Sequence, residues 1–108
     1  VPVSPEVVEA YAAAKAAYAA GNLGPLQGRL AMNFLMDRSA ENWKAELAKL
    51  KAEVGACPSD EPLAPMSAMS AAFRLNCDKG KLDGMLLLAP TMPATVQALR
   101  FRVVPPEK

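Results

Sequence analysis

Histidine is absent from this 108-residue chain. That removes the side chain that most often serves as general base or metal ligand near neutral pH, and with it every Ser/His or Cys/His nucleophile pair. Cysteine occurs twice, at Cys57 and Cys77, and two thiolates with no histidine cannot complete a four-ligand zinc site. Neither sign of charge is in excess. Twelve Lys and Arg face 11 Asp and Glu, which supplies no counterion-release drive toward nucleic acid and no pull toward anionic lipid. No apolar run approaches the roughly 20 residues needed for a helical membrane span. The six glycines are scattered and build no phosphate cradle. No serine is followed three residues on by lysine, none is flanked by glycines, and no two carboxylates are set beside an apolar pocket. Asp60-Glu61 lies in a polar connector where both groups are expected to stay solvated. The chain is therefore expected to carry no catalytic residue, no cofactor and no metal.

What is present suits a small packed domain. At 108 residues, 52% hydrophobic and 21% charged, residues 1–108 are expected to form a single α+β domain. Ser4 is a good N-cap and Pro5 suits the first helical position. Val7, Tyr11, Ala14 and Tyr18 then recur at helical spacing until Gly21, which predicts a helix over about 5–20. Pro25 starts a weaker helical pattern, Leu26, Leu30 and Phe34, over about 25–36, with Gly28 inside it as a cost. Ser39 caps a third helix over about 40–54, with Ala40, Trp43, Leu47, Leu50 and Val54 on one stripe and Gly55 as its stop. Residues 56–65 read as a connecting loop. Alternation then predicts strands over about 69–77, 81–89 and 95–103, the first two joined by a three-residue turn, Asp78-Lys79-Gly80, with Gly80 in a left-handed conformation. Met85-Leu86-Leu87-Leu88 is apolar on both faces, which predicts a central strand covered at least in part on each side. Helices followed by strands predict three N-terminal helices on one face of a three- or four-stranded antiparallel meander, the fourth strand a short one near Met66.

Cys57 closes the helical half and Cys77 closes the first long strand. A disulfide between them would close a loop of about 20 residues and stabilise the fold by about 3 kcal/mol, which favours an exported protein. The alternative is a pair of buried thiols in a cytosolic one. Arg74, Arg100 and Arg102 fall on the outward face of the sheet, either as a binding surface for acidic groups or as a solvated face paired with Lys81 and Asp83. Phe73 and Phe101 point to the opposite, core side, so the arginine face lacks the aromatics a nucleic-acid surface needs. Of the six methionines, Met66, Met69 and Met92 sit in loop-like segments and are candidates for an adaptable apolar wall, with Met85 on the central strand. Met32 and Met36 are expected in the core, as are Tyr11, Tyr18 and Trp43.

The runs Asn33-Phe34-Leu35-Met36-Asp37-Arg38, Gly55-Ala56-Cys57, Cys77-Asp78-Lys79-Gly80 and Leu88-Ala89-Pro90-Thr91-Met92-Pro93, with Val96-Gln97 following, span about Leu30 to Val103. In that order they resemble C-terminal accessory segments of bacterial serine hydrolases of the beta-lactamase and penicillin-binding type, which look similar to cystatin-like or NTF2-like α+β folds. The catalytic signatures of that class, Ser-x-x-Lys and Lys-Thr-Gly, are absent here. The resemblance implies the non-catalytic part of such a protein and a periplasmic or secreted location. The start Val1-Pro2-Val3-Ser4-Pro5 lacks the basic and apolar regions of a signal sequence and is expected of a processed chain or a piece of something larger.

The expectation is an accessory interaction domain whose partner is another domain of the same parent protein or a second copy, with no nucleic acid and no membrane span. Its surface would be drawn from Met66, Met69, Met85, Met92, Arg74, Arg100 and Arg102. The alternative is a carrier of a small apolar ligand, with a pocket lined by Tyr11, Phe34, Met36 and Leu99 between helices and sheet.

Overall fold

Helix α1 spans Pro5–Ala20 and begins where its cap requires: the Ser4 hydroxyl accepts from the Val7 N–H at 3.4 Å. It ends at Gly21, whose φ of 78° allows its N–H to turn back to the carbonyls of Ala17 and Tyr18. These features come from a computed structural model that describes residues 3–106, so the reading of Val1-Pro2 lies outside the described residues. Helix α3, Ala40–Val54, starts on Ser39, whose hydroxyl accepts from the Asn42 N–H at 3.1 Å, and it buries Trp43, Leu47, Leu50 and Val54. Ala40, at the start of the expected stripe, is exposed.

The second helix is not continuous. Its pattern is divided between a single 3-10 turn, Gly24–Leu26, and a one-turn helix α2, Phe34–Asp37. Gly28 takes a φ of 80° and breaks the helical path. Beyond it the backbone runs extended, with the Val96 N–H donating to Arg29 O and the Ala31 N–H donating to Val96 O. Leu26 and Phe34 still reach the core, 0% and 5% exposed, so the apolar spacing was satisfied by two short pieces with a sheet contact between them.

The sheet has five antiparallel strands, one or two more than expected: β1 Ser59–Asp60, β2 Ala64–Ser67, β3 Ser70–Cys77, β4 Gly80–Ala89 and β5 Thr95–Val103. β3, β4 and β5 form the meander, and β1 and β2 both pair along the outer edge of β3. β2 contains Met66, where a short fourth strand is expected, whereas β1 lies within the stretch read as a loop. Every residue of β1 and β2 is exposed, so no alternation marks them. They are held by the ladder, not by burial. Gly80 is also a correction. It pairs with Cys77 as the first residue of β4, leaving a two-residue turn. A side chain there would come within 3.3 Å of Val54 Cγ1, so the glycine serves the close approach of α3.

The helices cover one face of the sheet. That face carries Ala71, Phe73, Leu75, Leu82, Leu86, Leu88, Val96 and Leu99, all buried. Phe73 lies over Gly84, its partner on β4, with Tyr11 at 4.9 Å and Phe101 at 5.9 Å between ring centroids. The other face carries Met85 and Leu87 only half-buried, so β4 is central but is covered by helices on one side. Cys57 and Cys77 form a disulfide. Beside it, Lys79 N–H donates to Val54 O and Asp78 N–H to Ala56 O, and the Tyr18 hydroxyl donates to Gly55 O at 2.7 Å. The end of α3 is thus fastened to the β3–β4 turn. Among the described residues no helix is long and apolar enough to cross a membrane.

Candidate interaction surface

Strand register places the three arginines on the face away from the helices. Asp83 lies opposite Arg74 on one side and Arg102 on the other, and Met85 lies between Ala72 and Arg100 one step along. Arg74 grips Asp83 with both ends of its guanidinium, Nε to Oδ1 at 2.5 Å and Nη2 to Oδ2 at 2.9 Å. This pair, more than any other cause, holds the Asp83 carboxyl below its ordinary range. Arg100 and Arg102 are exposed and form no ion pair with any described residue. Of the two readings of this face, the cross-strand pair applies to Arg74, while the other two guanidiniums are presented outward.

Beside them lies a recess. A cleft of about 430 Å³ runs between residues 97–102 of β5 and the start of the helical layer, where Phe34, Asp37, Arg38, Trp43 and Glu46 line it. Phe34 and Trp43 stack at 5.5 Å, and the Arg38 guanidinium covers the indole at 4.6 Å. Trp43 is 5% exposed, and its indole N–H has no hydrogen-bond partner among the described residues. The wall of this cleft is the outer edge of β5. Val104 N–H donates to Lys81 O, so by the alternation of an antiparallel ladder residues 98, 100 and 102 turn their amides to β4, and 99, 101 and 103 turn theirs outward. At its other end the same edge is taken by Arg29 and Ala31 at Val96.

The methionines divide. Met66 is 59% exposed on β2 and Met92 is 99% exposed in the β4–β5 loop, whereas Met69 is half-buried and packs against the core. Met32 and Met36, expected inside, are 100% and 81% exposed. The broken second helix explains this, since its apolar positions 26, 30 and 34 leave 32 and 36 off the stripe. That spacing was the available signal for finding them. Register sets Met66, the loop of Met92, and Met32 beside the Val96 contact at one end of the sheet, opposite the disulfide. The four residues expected to line a carrier pocket do not meet around one. Phe34 and Leu99 border the cleft, Tyr11 packs on Phe73, and Met36 faces solvent.

A further cluster was not anticipated. The Tyr11 hydroxyl donates to Asp60 Oδ2 at 2.5 Å, and Lys15 Nζ reaches the same oxygen at 3.0 Å. The hydrogen bond from Tyr11, then Lys15, lowers the Asp60 carboxyl from its ordinary value. Burial, then Asp60, raises the Tyr11 phenol. Asp60 therefore ties α1 to β1 and is not merely solvated, and Glu61 lies 3.5 Å from Lys81 Nζ. A phenol kept protonated beside a paired carboxylate is a structural clasp, with no group poised as base or nucleophile.

No family model, curated protein or solved structure matches the chain.

Proposed function

We propose that this chain is a non-catalytic interaction domain, the accessory part of a larger exported bacterial protein, and that its methionine-bearing end meets another domain of that protein or a second copy. One observation carries the reading. Met32, Met92, Met36 and Met66 are 100%, 99%, 81% and 59% exposed in a chain whose other apolar residues are mostly packed. Leaving a large apolar side chain in water forgoes roughly 1.5–3 kcal/mol of burial, and flexible thioethers fit partners of imperfect shape. The disulfide and the absence of a membrane-crossing helix among the described residues are compatible with a periplasmic or secreted setting. The accessory role in a serine hydrolase rests on the resemblance of the turn segments given above.

The test is photo-crosslinking in the producing cell with photo-methionine in place of methionine. Adducts from Met32 and Met92 onto one protein surface, reduced in Met92→Asp while far-UV circular dichroism is unchanged, are the expected result. Quenching by water alone at those positions, or loss of helicity in Met92→Asp, would remove the proposal.

A further inference from the structure

We infer that the open edge of β5 takes up an extended, acidic peptide strand, with carboxylates at alternate positions facing Arg100 and Arg102 and apolar side chains between them turned into the cleft bordered by Phe34, Arg38 and Trp43. This rests on the interaction-domain reading and adds the chemistry of a partner at the sheet edge.

The two edges of the sheet differ. The β3 edge is occupied by β1 and β2, which are two and four residues long, with Pro65 inside β2 and a register shift beside it. Short strands, proline and bulges are how sheets block further pairing. β5 has nine residues and no proline, and beyond Val96 nothing pairs with its outer side among the described residues. Leu99, Phe101 and Val103 direct their backbone groups there, so a strand laid alongside would find three residues to pair with.

Side chains of an added strand alternate like those of β5. Positions opposite Arg100 and Arg102 fall on the open face, against two exposed guanidiniums without an ion pair among the described residues. Positions opposite Leu99 and Phe101 fall into the cleft, against Phe34 and Trp43. Asp37 and Glu46 line the helical side of that cleft together with Arg38, whose guanidinium lies over the Trp43 ring, so that wall is mixed in charge and the acidic preference comes from Arg100 and Arg102 on the other face. The pattern selected is apolar-acidic-apolar-acidic.

A second copy of this chain fits poorly. Antiparallel pairing of β5 with itself is limited to residues 97–103 by the contact at Val96. Two-fold pairing centred on that stretch sets Arg100 against its own counterpart, or against Arg102, and like charges directly opposite destabilise a ladder.

Trp43 is the single tryptophan and lines the cleft, so its emission reports occupancy directly. The disulfide-intact chain would be titrated with the capped heptapeptide Val-Glu-Val-Glu-Val-Glu-Val, with the same peptide carrying lysine for glutamate, and with one carrying proline for both inner valines, whose amides face β5 in an antiparallel ladder. We expect a saturable change with the glutamate peptide that weakens as ionic strength rises from about 0.05 to about 0.5 M. The lysine peptide should bind about tenfold more weakly, and the preference should reverse in Arg100→Glu/Arg102→Glu. Failure to saturate, equal binding of the two charged peptides, or undiminished binding of the proline peptide would each overturn the inference. If the double variant does not fold, the wild-type comparison of the three peptides still decides. Photo-crosslinks from Met32 and Met92 that persist without peptide binding would refute this edge and leave the interaction domain standing. Loss of both would refute both.

Discussion

Gly84→Ala adds one methyl group to the middle of the central strand and should destabilise the protein, although alanine is the better residue on backbone grounds. The added Cβ would lie 2.1 Å from Phe73 Cζ and 2.2 Å from Cε1, far inside van der Waals contact. Phe73 is 4% exposed, with Tyr11 at 4.9 Å and Phe101 at 5.9 Å, so the ring cannot yield without disturbing two others. Overpacking of this kind costs about 1–3 kcal/mol, and displaced ring contacts add roughly 0.5–1.5 kcal/mol. Against this stands a gain of about 0.4–1 kcal/mol from the smaller entropy of the unfolded chain. The net expectation is a loss of about 0.5–4 kcal/mol, a lower urea midpoint at unchanged slope, and a melting temperature lower by roughly 4–8 °C for each kcal/mol lost. The decisive control is a double-mutant cycle. In a Phe73→Leu background the ring is gone, and the same alanine should cost at least about 1 kcal/mol less. A Gly84→Ala protein within about 0.5 kcal/mol of wild type, or an alanine cost that does not change when Phe73 is replaced, refutes the reasoning.

Two further outcomes follow from the fastenings of the fold. Reducing the Cys57–Cys77 bond should lower stability by about 3 kcal/mol, from the loop entropy returned to the unfolded chain. An unchanged urea midpoint with and without reductant would contradict it. Asp60 has a folded pKa below its unfolded value of about 3.9, so its contribution is present above that value and is lost as pH falls through the lowered one. Asp60→Asn keeps an acceptor for Tyr11 and removes the charge. With the carboxylate side chain 34% exposed, the difference from wild type should be at most about 1 kcal/mol at pH 7. It should vanish in the acid limb, and a constant difference from pH 7 to pH 2 would show that charge is not involved.

Burial that follows a period was legible in the sequence. α1 and α3 run from Pro5 to Ala20 and from Ala40 to Val54 as their caps and stripes predict, and β3, β4 and β5 lie within a residue of their expected bounds. The α+β layering followed from these. What was not legible was structure without a core-facing pattern. β1 and β2 are exposed throughout, so no alternation marks them: β2 is the short strand expected near Met66, and β1 was read as loop. The second helix failed because Gly28 and the pull of Val96 outweighed a three-residue apolar spacing. The arginine face could be read from strand parity, but the cleft could not. It needs Trp43 and Arg38 from one half of the chain beside Leu99 and Arg100 from the other, and local spacing carries no information about that meeting.

The unequal edges of the sheet also limit how many partners it can take. Growth by strand addition into a fibre needs two open sides, one to receive and one to offer. Here the β3 side is filled from within, by a segment that the Cys57–Cys77 bond closes into a covalent ring around β1, β2 and β3. A strand added at β5 therefore ends the series unless the partner brings an open edge of its own. Under that inference the complex would be one-to-one, and the limit on further strand addition would reside in the ring and not in surface charge.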